Sequence, residues 1–280
     1  MSRPASPFRR FLLRVAMAAT LAVLAAAGGV ACLWLALPDP APLARGIPST
    51  TALIEQRRAE ARAHHRILRP ARTWVPLERV PRHVLDAVLV SEDARFFGHE
   101  GIDWEATREA VEHDLYRGQL ARGGSTITQQ LAKNLWLGTE RTIWRKVKEA
   151  VLARKLEHRL PKRRILSLYL NVAEWGDGVF GIEAGARAHF GVDVDGLSVA
   201  QGVVLASMLP APRRVSLAQP STWLKRRSRR LLDRMAEAGR LSAEDHLHAS
   251  SELDRILAGP QPDQDEEEPP EEATDAGGQG

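Results

Sequence analysis

Residues 15–37 read VAMAATLAVLAAAGGVACLWLAL and carry no charged side chain. A run of about 23 such residues rises roughly 34 Å as a helix, enough to cross a bilayer core of about 30 Å. Any fold of this chain must leave that helix in lipid or lose it by cleavage. Arg3, Arg9, Arg10 and Arg14 precede it without an acid, a bias that keeps the N-terminus in the cytoplasm and sends the remainder outside. Cleavage as a signal peptide is the competing reading, because Ala25, Ala26 and Ala27 resemble a small-residue processing site. The apolar run continues past them to Trp34 and Leu37, longer than a signal core, which favours an uncleaved anchor. Cys32 follows Gly29, Val30 and Ala31, a poor lipoprotein signal, and as the single cysteine it excludes an intrachain disulfide.

Beyond the apolar run the chain is long enough for one sizeable domain, at 280 residues in all and 44% hydrophobic. From Pro38 to about Trp74 the composition shifts to Pro, Ala and Arg, an extended exit followed by an arginine-rich helix over 51–65. Arg57, Arg58, Arg62 and Arg66 there read as a solvated face, with anionic headgroups as the alternative partner. From Gly259 the tail holds eight acids and no Lys or Arg, a composition that predicts disorder. The body without it is more basic than the overall +4, which suits an anionic membrane surface and a phosphate-bearing substrate. Lys225, Arg226, Arg227, Arg229 and Arg230 share one predicted helix. On the outer side of a membrane such a run meets anionic lipid or solvent, and nucleic acid is not an expected partner.

The chemistry concentrates between residues 91 and 134, SEDARFFGHEGIDWEATREAVEHDLYRGQLARGGSTITQQLAKN. Val84, Leu85, Val88 and Leu89 recur at helical spacing from a start near Pro81, and the next position on that stripe is Glu92. A carboxylate at the end of a buried stripe loses hydration, which disfavours its charged form and makes it a better proton acceptor. The bland alternative pairs Glu92 with Arg95, one turn on. Gly123 and Gly124 then open a helix start at which Ser125, Thr126 and Thr128 supply hydroxyls, a geometry that attracts anions. Gln129, Gln130, Lys133 and Asn134 follow within two turns, more polar function than a plain cap requires. Between the two clusters, residues 104–124 begin helical and are broken by Gly118 and Gly123, as a gate beside a groove would be. His99 has no second histidine or cysteine at metal-ligand spacing and reads as a structural hydrogen-bonder in the turn after Phe97.

Further along, 139–160 predicts an amphipathic helix with Ile143, Val147, Ala150, Val151 and Leu156 inward. Its Arg145 and Glu149 are spaced as an ordinary surface ion pair. A second helix over 162–171 packs through Ile165, Leu168 and Tyr169, and the glycine-rich EWGDGVFG after it reads as a turn shaping the groove. Residues 198–212 form an apolar helix too short to span a bilayer, stopped by Pro210 and Pro212, and are expected in the core.

EDARFFGHEGID followed by GGSTITQQLAKN resembles the first two motifs of the peptidoglycan glycosyltransferases, which polymerise lipid II into glycan strands. RKVKE at 145–149, KRRILSLYLN at 162–171, GIEAGARAHFG from Gly181 and SMLPAPRR from Ser207 follow in the family's order. Several ordered motifs over roughly residues 75–240 are far harder to meet by chance than one. The resemblance implies a mainly α, lysozyme-like two-lobed domain behind one N-terminal transmembrane helix, in the cell inner membrane with the catalytic domain on the periplasmic side. Together with the composition shifts along the chain, it divides the sequence into a cytoplasmic tip and anchor (1–38), a juxtamembrane linker (39–74), the glycosyltransferase domain (75–240), a helical extension (241–258) and the acidic tail (259–280).

It also implies roles. Glu92 would be the catalytic base and Glu149 the second catalytic residue. Asp93, Gly124, Ser125, Thr126, Gln129, Gln130, Lys133, Asn134, Arg145 and Lys146 would bind substrate. Glu149 would orient the cations or hold a divalent ion such as Mg²⁺ or Mn²⁺, and no other cofactor is implied. Lipid II and the nascent strand are the implied partners, with cell-division or cell-wall synthesis proteins beside them. No serine is followed three residues later by lysine, so a transpeptidase domain is not expected and the activity is monofunctional. A lysozyme-like peptidoglycan hydrolase and a non-catalytic divisome scaffold are the alternatives.

Overall fold

The computed structural model describes residues 7–109, 124–140 and 142–259. Helix α1 (Pro7–Ala36) contains the apolar span Leu13–Ala36, and α2 (Ala52–Ala63) begins at Thr51, whose side chain accepts the Ile54 amide. Then come α3 (Arg82–Glu92), α4 (Ile127–Ala132), α5 (Ile143–Arg159), α6 (Lys162–Val172) and α7 (Ile182–Phe190). The chain ends in α8 (Val199–Met208), α9 (Thr222–Glu237) and α10 (Ala243–Ala258). Three short strands, β1 (Ala71–Arg72), β2 (Glu174–Gly176) and β3 (Val179–Phe180), form a sheet in which β3 is central, parallel to β1 and antiparallel to β2.

The helices sort into two lobes. In one, α3, α8, α9 and α10 pack on each other; in the other, α4 packs on α5 and α6. Spacing explains both groupings. Val84 and Val88 of α3 are fully buried at i, i+4, and Leu224, Ser228, Leu231 and Met235 make the equivalent stripe on α9. Helix α8 is buried along nearly its whole length, as its apolar composition requires. It starts in a capping box between Ser198 and Gln201. Helix α7 contacts both α6 and α8 and so joins the lobes.

The end of the anchor is held by the domain. Lys155 on α5 is buried and donates from Nζ to the carbonyls of Trp34 at 2.9 Å and Leu37 at 2.6 Å. A helix C-terminus has carbonyls without intrahelical partners, and a lysine supplies the missing donors. Trp34 also meets His158 edge-on, and Arg164 on α6 donates to the carbonyls of Leu43 and Gly46.

This docking corrects the inward face expected for 139–160. Leu152, Ala153 and Leu156 are buried, whereas Ile143 is 86% and Val147 37% exposed. At about 100° per residue, Ile143, Trp144, Val147 and Val151 share the side of α5 that carries Lys155 and His158, the side met by the anchor. Periodicity marks a side as apolar without saying whether protein or lipid covers it. The segment 174–181 also differs from expectation. It is the β2–β3 hairpin, away from the main groove, and its Asp177 lines a smaller cavity with Arg57, Glu60 and Arg213.

Candidate active site

A groove of about 1270 Å³ runs between the lobes. One wall is the end of α3 with Ser91 and Glu92; the other carries Gly124, Ser125, Gln130 and Lys133; Trp223, Arg227 and Arg234 of α9 close one side. Gly123 and most of the expected gate lie outside the described residues, although 104–109 are helical.

Glu92 continues the stripe of Val84 and Val88 and keeps 10% of its side chain exposed, toward this groove. Its Oε1 accepts the Ser91 hydroxyl at 3.0 Å and Arg227 Nη2 at 3.2 Å, and its Oε2 accepts Gln130 Nε2 at 2.9 Å. The alternative pairing with Arg95 does not form. Arg95 donates instead to both oxygens of Asp103 and to Glu105.

Asp93 borders the groove, but its carboxylate is engaged inside the protein. Oδ2 accepts the Ile127 amide at 2.9 Å, tying the end of α3 to the start of α4 across the lobes, and His99 Nε2 lies 3.0 Å from Oδ1. His99 Nδ1 accepts the Gly101 amide. Gly101 has φ +90°, and a Cβ there would stand 3.1 Å from the Ala153 carbonyl, so the turn presses onto α5 only because this residue is glycine. Asp93, His99 and Asp103 have the donor types of a metal site, yet Ile127, His99 and Arg95 already satisfy the two carboxylates.

Thr126 and Gln129 form a reciprocal capping box, and Thr126 Oγ1 also donates to the Gly101 carbonyl at 2.7 Å. Gln129 and Asn134 are buried and do not reach the groove wall, because one closes the cap and the other sits inside the π-helical turn 133–137. These residues build the wall from which Ser125, Gln130 and Lys133 project.

Lys133 stands between two acids. Burial lowers its pKa, Glu149 opposes that shift, Arg145 and Lys146 reinforce it, and Glu92 opposes it again. The lysine thus senses Glu92 on one lobe and the α5 cluster on the other. In that cluster Glu149 is 2% exposed and accepts from both Arg145 and Lys146, while Lys146 Nζ also donates to Ser125 Oγ at 2.8 Å. A divalent ion does not fit Glu149, because each carboxylate oxygen already faces a cation and the neighbouring side chains repel further positive charge. Glu149 holds cations in place.

Arg227 lines the groove and Tyr169 stands behind it, and the sequence gives neither a role at the site. Arg227 belongs to a run read as solvated or lipid-facing, and Tyr169 was placed only in packing. A usable signal existed for Arg227: with Trp223 and Arg234 it falls on one edge of the buried α9 stripe, while Lys225 and Arg229 fall away from it. Tyr169 offers none, since its hydroxyl meets Gln130 from within the core.

A carboxylate facing cations across an open groove between two helical lobes is the arrangement of an enzyme acting on a phosphate-bearing substrate. A family model described as Transglycosylase matches residues 60–236, more than half of the chain, and the chain belongs to that family. It is 42% identical over 191 residues to a biosynthetic peptidoglycan transglycosylase of Nitrosospira multiformis, covering 68% of this chain and 83% of that protein. A protein of the same description from Methylobacillus flagellatus is 47% identical over 165 residues, 59% of this chain and 72% of its own length.

Proposed function

We propose that this chain is a peptidoglycan glycosyltransferase that polymerises lipid II into β-1,4 glycan strands and releases undecaprenyl diphosphate. The observation that carries this reading is the placement of Glu92 and Lys133 on opposite lobes of one groove, within electrostatic reach of each other. An α-linked pyrophosphate leaving group needs charge neutralisation more than a proton. A β-linked product needs inversion, with one base on the face opposite the leaving group.

Glu92 takes the proton of the acceptor 4-hydroxyl as its oxygen attacks C1 of the donor. The C1–O bond to the pyrophosphate breaks, and the electron pair leaves with the diphosphate. Lys133, Arg145 and Lys146 stabilise that developing charge, held by Glu149. Gly124, Ser125 and Gln130 contact sugar hydroxyls and phosphate oxygens, while Asp93, Thr126, Gln129 and Asn134 position them.

Residues 75–240 make the glycosyltransferase domain in this reading. The helix Leu13–Ala36 anchors it to the cell inner membrane, and the arginines before the uncharged run 15–37 put the domain on the periplasmic side. Exposed Ile143, Trp144 and Val147, on the anchor side of α5, meet the bilayer. Cell-division or cell-wall synthesis proteins are the partners this location offers. Purified full-length protein given labelled lipid II tests the reading. Long strands are expected, and shortening of preformed strands without synthesis would support a hydrolase instead.

A further inference from the structure

The two oxygens of Glu92 are not equivalent. Among the described residues, Oε1 already accepts Ser91 and Arg227, whereas Oε2 accepts only the Gln130 amide. A carboxylate oxygen offers roughly two lone-pair sites, so Oε1 is filled and faces a cation. Oε2 keeps a site open to a further donor.

Gln130 is itself held. The Tyr169 hydroxyl donates to Gln130 Oε1 at 3.1 Å from a side chain that is 1% exposed. Burial, then the charges of Glu92 and Asp93, push this phenol well above its ordinary pKa, so it keeps its proton. With the carbonyl end of Gln130 fixed by that donor, the amide nitrogen turns to Glu92. The flipped amide would set its oxygen against a carboxylate.

We propose that Tyr169 is a positioning residue which, through Gln130, leaves Glu92 Oε2 as the oxygen that receives the acceptor's hydroxyl proton. This rests on Glu92 being the base. The acceptor oxygen bonds to C1 as the C1–O bond to the pyrophosphate breaks, the pair departs with the diphosphate, and the proton ends on Oε2. Among the described residues, the charged groups facing Glu92 include Arg227 from α9, Lys133 from the turn after α4 and the adjoining Asp93. A neutral Tyr169 from α6 completes the surroundings, so Tyr169→Phe removes a hydrogen bond and no charge.

The test is the pH dependence of lipid II turnover by full-length protein in detergent, for wild type, Tyr169→Phe, Gln130→Met and the double variant, with Tm measured for each. Tyr169→Phe is expected to lower kcat about tenfold with KM unchanged. The acid limb of the profile moves to higher pH, because Gln130, no longer held by the phenol, donates less well to the charged carboxylate. Gln130→Met shifts the limb the same way, and in its background Tyr169→Phe has no further effect on kcat. An unmoved limb in both single variants, or an equal loss of kcat from Tyr169→Phe in the Gln130→Met background, would overturn the proposal. Retained turnover by Glu92→Gln would instead remove the base assignment beneath it.

Discussion

Arg227 Nη2 donates to Glu92 Oε1 at 3.2 Å across 135 positions of sequence. The same nitrogen reaches Ser91 Oγ at 3.0 Å, and the guanidinium lies over the Trp223 ring at 5.8 Å from its centroid. The base of the proposed reaction is therefore oriented by α9, an element whose charge run looks like surface.

Arg227→Ala is expected to lower lipid II turnover about 100-fold, the scale of losing one oriented donor at a reacting centre. Arg227→Lys restores only part of it, because an ammonium cannot reproduce the planar fork that engages Ser91 and Glu92 while stacking on Trp223. Steady-state turnover of labelled lipid II measures both. Full activity of Arg227→Ala would remove α9 from the site.

Lys133→Met should abolish polymerisation and raise Tm at neutral pH. The folded-state pKa of Lys133 lies below its unfolded value, so the unfolded chain binds the proton more tightly. The charged ammonium therefore costs stability at neutral pH. That cost is relieved as pH rises through the folded pKa toward the ordinary lysine value of 10.5, and the advantage of the variant shrinks there. Glu92 and Glu149 keep Arg227, Arg145 and Lys146 as partners in the variant. Thermal unfolding at neutral and alkaline pH checks the sign, and a lower Tm at neutral pH would contradict it.

How much of this was legible in the sequence is clearest at Glu92 and Arg227. The stripe Val84, Val88, Glu92 is local, and helical spacing alone puts the acid at the end of a buried face. The cap at Thr126 and the apolar helix Val199–Met208 were readable for the same reason. Arg227 was not, since its partner lies on another helix and a run of like charges has no local mark separating groove from solvent. The face of α5 was misread because Ile143 and Val147 are apolar toward the anchor side while Glu149 and Lys155 are buried, and hydropathy does not distinguish a core from a bilayer. Asp93 and Gln129 carry functional side-chain types, yet the hydrogen bonds that turn them inward depend on tertiary structure.

Lys155→Met leaves the Trp34 and Leu37 carbonyls without their donor and removes the cation from the Trp34 ring. The loss is expected to destabilise the docked anchor by about 1–3 kcal/mol. Thermal unfolding of full-length protein in detergent should show a Tm lower by several degrees. An unchanged Tm would mean that the anchor and domain are not coupled through this residue.

If Glu92 is the base of the polymerising reaction, its amide variant cannot take the acceptor proton, and turnover of labelled lipid II by full-length Glu92→Gln measures that loss. A loss of about 10²–10⁴-fold is expected, with Tm close to wild type because the amide keeps the shape of the side chain and its contact with Ser91. Strand synthesis at the wild-type rate by Glu92→Gln would contradict the assignment of Glu92 as the base.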